Sequence, residues 1–286
     1  MPGRQTVIAR DSRYLDLATT LLQRMRLTSA AGGVWEAADV QWWSRAARST
    51  DRDGQVFWLD EAGEPAAAVI VTDFGDTTQL DVLVGPAADA DADDAWALAL
   101  NRAEALRRRG AAIELPLPAD STAGARILTG AGYQPTGEDV IASWLDAART
   151  PQVTTLAAGY RLHNRADTHD RSHPLVPRNG AGVAARLARC SLYRPELDLW
   201  VESPDGEVAG YGLFWPDPVT CVGLVEPMRT EDQHQRRGIA RHILTSGLAR
   251  LAAAGCTRLK VSSDIGLYLG AGFKPAIAAA IYAPPA

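Results

Sequence analysis

The chain repeats itself. Gly63-Glu64-Pro65-Ala66 matches Gly206-Glu207-Val208-Ala209 at an offset of 143, and Gly130-Ala131-Gly132-Tyr133-Gln134-Pro135 matches Gly270-Ala271-Gly272-Phe273-Lys274-Pro275 at an offset of 140. Two matches at nearly one offset, joined by the same order of elements, indicate an internal duplication. A fold that suits one copy must therefore suit the other. In the first copy the hydrophobic period predicts helices over 12–26 and 35–48, and strands over 56–59, 66–71 and 79–84. A helix over 95–109 closes at Gly110, and strands over 113–117 and 140–145 follow. The boundary between copies falls near Thr150-Pro151, which divides the chain into 1–150 and 151–286. Of the tryptophans, Trp42 and Trp43 read as core or interface anchors, and with Trp35, Trp58, Trp96 and Trp144 they predict a complete core in the first copy.

The second copy carries one stretch whose residue types suit a ligand. Gln235-Arg236-Arg237-Gly238-Ile239-Ala240 lies between an apolar, β-rich run (219–228) and a helix with Ala240, Leu244, Leu248 and Leu251 on one stripe, ended by Gly255. The first turn of a helix leaves backbone N–H groups unpaired and carries partial positive charge, so it accommodates phosphate. Gly238 allows close approach, and Arg236, Arg237 and Arg241 add charge. A pyrophosphate is the natural guest. No Gly-x-x-x-x-Gly-Lys-Ser/Thr run and no Gly-x-Gly-x-x-Gly between strand and helix occurs, so two better-known phosphate loops are excluded.

What remains resembles the Arg/Gln-x-x-Gly-x-Gly/Ala loop of the GNAT superfamily of acyl-CoA-dependent N-acyltransferases. A strand over 258–261 follows the helix. Tyr268-Leu269-Gly270-Ala271-Gly272-Phe273 then stands where that family has Tyr-x-x-x-Gly-Phe. The resemblance covers roughly 160–282. It implies an α/β fold with a mixed, α+β type of sheet, present here as two tandem GNAT-like domains, an architecture similar to that of mycothiol synthase. One departure is that Ser262 and Ser263 stand where the family often has asparagine.

The resemblance also implies roles. Gln235, Arg236, Arg237, Gly238, Ile239, Ala240 and Arg241 would hold the pyrophosphate of acetyl-CoA. Met228, Arg229 and Thr230 would lie where the preceding strand splays at a bulge and a backbone N–H holds the thioester carbonyl. Tyr268 would be the acid toward the leaving thiolate. Glu226, an acid inside an apolar strand, is the candidate base for the attacking amine, with His234 and His173 as weaker ones. The reaction implied is direct attack of a small-molecule primary amine on acetyl-CoA in a ternary complex. Two alternatives are a protein N-acetyltransferase and a non-catalytic acyl-CoA-binding regulatory module. The acceptor side would be built by 173–180, Phe214 and Trp215.

The first copy serves as a control. It has Ala87 to Asp94, with aspartates at 89, 91, 93 and 94, where the second has the arginine loop. It also has Leu83 for Glu226 and Leu128 for Tyr268. The first copy is thus expected to keep the fold without the cofactor. Charge agrees: 1–150 hold 14 basic against 22 acidic residues, and 151–286 hold 15 against 12. Neither half has the dense basic stripe of a nucleic-acid binder. No apolar run approaches the length of a membrane span and 1–13 has no signal-peptide character, so the expectation is a cytoplasmic protein, monomer or homodimer, away from membranes. Cys190, Cys221 and Cys256 are unpaired in spacing, and His169 and His173 lack a third ligand, so no metal is expected.

Overall fold

A computed structural model of the chain describes residues 5–29, 33–85 and 88–285. Of the acidic run at 87–94, Ala87 and the side chains of Asp89 and Asp91 lie outside the described residues. Two compact units form, and their membership departs from the order of the chain. The first comprises Met1–Val40, Ala47–Val140 and Ile277–Ala286; the second comprises Gln41–Ala46 and Ile141–Ala276.

In the first unit, β1 (Gln5–Ala9), β2 (Gln55–Leu59), β3 (Pro65–Asp73), β4 (Thr78–Val84), β5 (Ile113–Pro118) and β12 (Lys274–Ala283) follow one another across the sheet. Pairing is antiparallel except between β4 and β5, which run parallel and meet only at Thr78/Ile113 and Gln79/Glu114. The helix α1 (Asp11–Thr28) buries Ala18, Leu21 and Leu22. The helix α3 (Asp89–Arg107) sets Ala95 and Ala99 against Val56, Ala67 and Val69, small residues that let helix and sheet approach closely. The helix α4 (Thr122–Gly130) buries Leu128. No helix among the described residues is long and apolar enough to cross a membrane.

The second unit repeats the plan. Its sheet runs from β6 (Gln134–Asp146) through β11 (Arg258–Val261), β10 (Val222–Thr230), β9 (Val208–Asp217) and β8 (Asp198–Glu202) to β7 (Arg161–Asn164). Here β10 and β11 are the parallel pair. The helix α7 (Ile239–Ala253) presses Ile239, Ile243, Leu244, Leu248 and Leu251 onto Leu199, Val201, Phe214, Val225 and Leu259. Three short helices, α5 (Val176–Asn179), α6 (Val183–Leu187) and α8 (Gly266–Leu269), complete it.

Three expectations need correction. The helix predicted over 35–48 is α2 (Ala37–Trp43). It ends in i→i+3 turn bonds from Ser44 and Arg45 N–H to Gln41 O and Trp42 O, and the same carbonyls also accept from Ser44 Oγ and Arg45 Nη1, while the Arg45 guanidinium stacks on the Trp42 ring. The strand β1 is unanticipated, being short and preceding the repeat. And Trp42, Trp43 and Trp144, assigned from sequence to a first-copy core, belong to the second unit.

The candidate active site

The site begins where two strands part. The parallel strands β10 and β11 pair only from Val222/Arg258 to Leu224/Lys260, so the rest of β10 has no partner on that side. On its other side β10 pairs with β9, with a register shift between Val225 and Met228. Glu226 and Pro227 thus oppose the single residue Leu213, and Pro227 has no N–H to offer a ladder. Beyond the bulge, Glu231 N–H donates to Ala209 O. Hydrogen-bonding direction alternates along an antiparallel pair, so Met228 and Thr230, in register with Gly212 and Gly210, point their N–H groups away from β9. That direction is into the gap left by β11.

The gap is a cleft of about 420 Å³ lined by Met228, Arg229, Thr230, Gln235, Arg236, Gly238, Ile239, Ala240 and Arg241, with Ile265, Leu267 and Tyr268 opposite. Nine of the ten residues expected from sequence to hold the cofactor therefore line one cleft; Arg237 is exposed and does not. Ile265 and Leu267 were missed, although the apolar residues just before Tyr268 could have suggested them. The loop reverses direction through two left-handed residues, Arg236 (φ 59°) and Gly238 (φ 76°), the latter immediately before α7. A Cβ at Gly238 would meet nothing within 4 Å, so the space over the helix start is open. Thr230 Oγ1 is buried without a hydrogen-bond partner. Open space at a helix start, inward N–H groups and an orphaned hydroxyl fit a ligand rich in acceptors. Among the described residues no group of three or more His, Cys, Asp or Glu side chains could hold a metal ion.

Charge at the mouth is partly committed. Arg178 grips Glu231 with two contacts of 2.8 Å, and Arg229 Nε reaches the same carboxylate at 3.2 Å. Burial pushes the Glu231 carboxyl up, but the two guanidinium groups outweigh it and hold its pKa below the ordinary value. Arg236 and Arg241 stay exposed.

Tyr268 is 6% exposed, its ring edge-on to Phe273. Burial first, and the nearby Glu226 charge second, push its phenol well above the usual tyrosine range. The two candidate catalytic groups are thus close enough to feel each other. The remaining base candidates, His173 and His234, do not line the cleft. His173 Nε2 contacts Asp198 at 2.9 Å while its Nδ1 accepts from Leu175 N–H, deep in the unit. His234 is buried with Nδ1 3.1 Å from Tyr160 Oη; like Glu226, it is not among the residues that line the cleft. Of the expected acceptor-side aromatics, Phe214 is a correction: it lies in the core beneath α7, on the opposite face of β9 from its neighbour Trp215.

A sheet opened between its parallel strands, with inward N–H groups facing a helix-start loop, defines an acyltransferase of the GNAT type. Residues 157–273 match the acetyltransferase (GNAT) family. Among curated proteins none matches the sequence. Solved structures resemble it in fold over nearly the whole chain. One is a tandem GNAT protein from the clavulanic acid biosynthesis pathway (14% identity, TM-score 0.65, covering 98% of each chain). Another is a GCN5-related N-acetyltransferase from Sphaerobacter thermophilus (16% identity, TM-score 0.59, covering 97% of this chain and 94% of that one). A third is the glucosamine N-acetyltransferase region of a fungal multi-domain β-N-acetylglucosaminidase (12% identity, TM-score 0.59, covering 98% of this chain and 38% of that one). The chain is an acyl-CoA-dependent acetyltransferase with tandem GNAT folds.

Proposed function

We propose that the chain transfers the acetyl group of acetyl-CoA to the primary amine of a small molecule, in one site formed by the second unit. The observation that carries this is the convergence, in one cleft, of the inward N–H groups of Met228 and Thr230, the 235–241 loop and Tyr268. Acetyl-CoA supplies the activated acyl group, held by a thioester. The amine nitrogen bonds to the acyl carbon and the carbon–sulfur bond breaks. Met228 N–H, fixed before reaction, takes the negative charge that gathers on the carbonyl oxygen. Glu226 accepts the proton that the amine gives up. Tyr268 faces the departing sulfur. A thiolate of ordinary pKa about 8.5 cannot easily take a proton from a phenol raised above 10, so Tyr268 acts by donating a hydrogen bond and keeps its proton.

The halves 1–150 and 151–286 are read as two copies of which only the second retains the cofactor site. In the first unit Leu83 and Leu128 are buried where Glu226 and Tyr268 stand in the second, and Asp93 and Asp94 are exposed in the first turns of α3, a charge hostile to pyrophosphate. Titration calorimetry of the full chain with acetyl-CoA, followed by thiol release in the presence of a primary-amine library, tests the reading. One binding site per chain is expected. Two equivalent sites, or none, would sink it.

A further inference from the structure

Independently of the acetyl-CoA reading, we propose that Cys221 and Cys256 are an oxidation site, where a hydroperoxide joins the two thiols in a disulfide that braces the closed end of the parallel pair β10–β11. Both cysteines are free in the structure, Cys256 buried and Cys221 half-buried. Far apart in sequence, they meet because one ends the turn before β10 and the other ends the turn before β11. Thr257 N–H donates to Cys221 O at 2.8 Å, and Arg258 N–H approaches the same carbonyl at 3.4 Å. The ladder then begins with Val222 in register with Arg258. Cys221 therefore lies beside Thr257, and Cys256 is one residue further back. Neighbouring strands stand about 4.8 Å apart and residues along a strand about 3.3 Å, so the diagonal between the two Cα atoms is about 6 Å. A disulfide spans about 4.4–6.8 Å between Cα atoms.

Two further observations single out this pair. Cys256 sits in the core under α7 with Leu251 and Leu259. Its thiol is pushed up to about 11, by burial first, with a hydrogen bond from the Asp217 backbone opposing and the nearby Cys221 adding to it. Cys221 itself adopts φ 55°, a left-handed conformation that glycine or asparagine takes at less cost. Cys190, by contrast, points its Sγ at Ser44 Oγ and Gln41 O. The accessible Cys221 reacts first: its sulfur attacks one peroxide oxygen, the O–O bond breaks, and a sulfenic acid and water result. Cys256 Sγ then attacks that sulfur; the S–S bond forms, the S–O bond breaks, and the departing hydroxide takes the Cys256 proton as water. Two electrons pass from the sulfurs to the peroxide. A thiol so weakly acidic is a slow nucleophile in free solution, and adjacency supplies the effective concentration it lacks. The bond closes a covalent loop that contains β10, the 235–241 loop and α7, so it restricts the unfolded chain over the elements that build the cleft.

The test treats the full chain with hydrogen peroxide, counts thiols after denaturation, and maps the oxidised peptides by mass spectrometry. The thiol count should fall from three to one, the intact mass by that of two hydrogen atoms, and the mapped link should join Cys221 to Cys256 with Cys190 still free. The melting temperature should rise by about 5–10 °C, and a dithiol reductant should reverse all of these changes. In Cys256→Ala, which lacks the resolving thiol, Cys221 should instead take up two oxygens as the sulfinic acid, which the dithiol does not reverse. Wild-type protein in which Cys221 goes to the sulfinic acid while Cys256 stays free overturns the inference, as does a link to Cys190 or between two chains. A Cys221–Cys256 link that melts no higher than the reduced form overturns the bracing role. Acetyl-CoA takes no part in these readouts, so their outcome leaves the functional reading untouched.

Discussion

Adding one carbon at each end of α7 separates the ligand's share of the loop from its conformational share. Gly238 (φ 76°) precedes the helix and Gly255 (φ 90°) follows it, and a Cβ at either would meet nothing within 4 Å. Gly238→Ala and Gly255→Ala therefore carry the same strain, that of an L side chain in the left-handed region, about 1–2 kcal/mol. Both should lower the melting temperature by similar amounts, a few degrees in a chain of this length. Their effects on binding should differ. The space above Gly238 is the space a phosphate would occupy, and a methyl there would weaken contacts to the helix-start N–H groups. A hydrogen bond to a charged group is worth about 1.5–3 kcal/mol, so Kd for acetyl-CoA should rise about 10- to 100-fold in Gly238→Ala and stay unchanged in Gly255→Ala. Scanning calorimetry gives the first comparison and titration calorimetry the second. If both variants bind acetyl-CoA equally well, no phosphate lies over this helix start.

Three further outcomes are expected. Tyr268→Phe keeps the ring against Phe273 and should leave stability and acetyl-CoA affinity nearly unchanged while turnover falls about 100-fold; an unaltered rate would make Tyr268 a packing residue. Asp81, buried in the first unit against Trp35 Nε1 and Gln79, has its carboxyl pushed by burial from 3.8 to about 6. A folded pKa above the unfolded one gives stability that is present below about pH 4 and lost as pH rises through 6, about 3 kcal/mol in all. Urea unfolding should therefore show Asp81→Asn more stable than wild type near pH 7 and equal to it near pH 4, and equal stabilities at both would refute the assignment. A fragment of residues 151–286 lacks Gln41–Ala46 and Ile141–Asp146, both parts of the second unit, and should be insoluble or unable to bind acetyl-CoA; a soluble fragment with the full-chain Kd would contradict this.

The parts of the site that were legible in the sequence are local. The helix start after Gly238, the strand over 258–261 and the short helix at Tyr268 each follow from residue type and spacing within a few positions. The direction of the Met228 N–H was not legible, because it depends on which of two alternating pair types meets Gly212 across the ladder. The face of Phe214 was hidden for another reason. From Ala209 to Asp217 every residue of β9 is buried, so the strand shows no apolar–polar alternation from which a face could be read. The left-handed turn at Arg236 carries no sequence signal at all, since arginine has no preference for it.

The assignment of the closing strands shows where a repeat misleads. A duplicated sequence predicts that each copy closes its sheet with its own last strand, and the local signal for 140–145 supports that as well as any other pairing would. In the structure Ile141–Asp146 lies in the second unit, with Leu145 in register with Leu259 and Ser143 with Val261. The last strand of the second copy does the converse: Ile281 is in register with Pro116 and Tyr282 with Leu115, inside the first unit. Because the two copies share one plan, each edge offers the same ladder to either strand, and strand propensity cannot distinguish them. The exchange nevertheless changes what the active cleft is made of. One wall of the cleft follows directly from β11, and the strand on the far side of β11 is supplied by residues that precede Thr150. The segment that brings Trp42 against Trp215 comes from earlier still. On the reading proposed above, in which the first copy has lost its own loop, acid and base, that copy still supplies two segments, Gln41–Ala46 and the strand from Ile141, to the unit that holds the cleft.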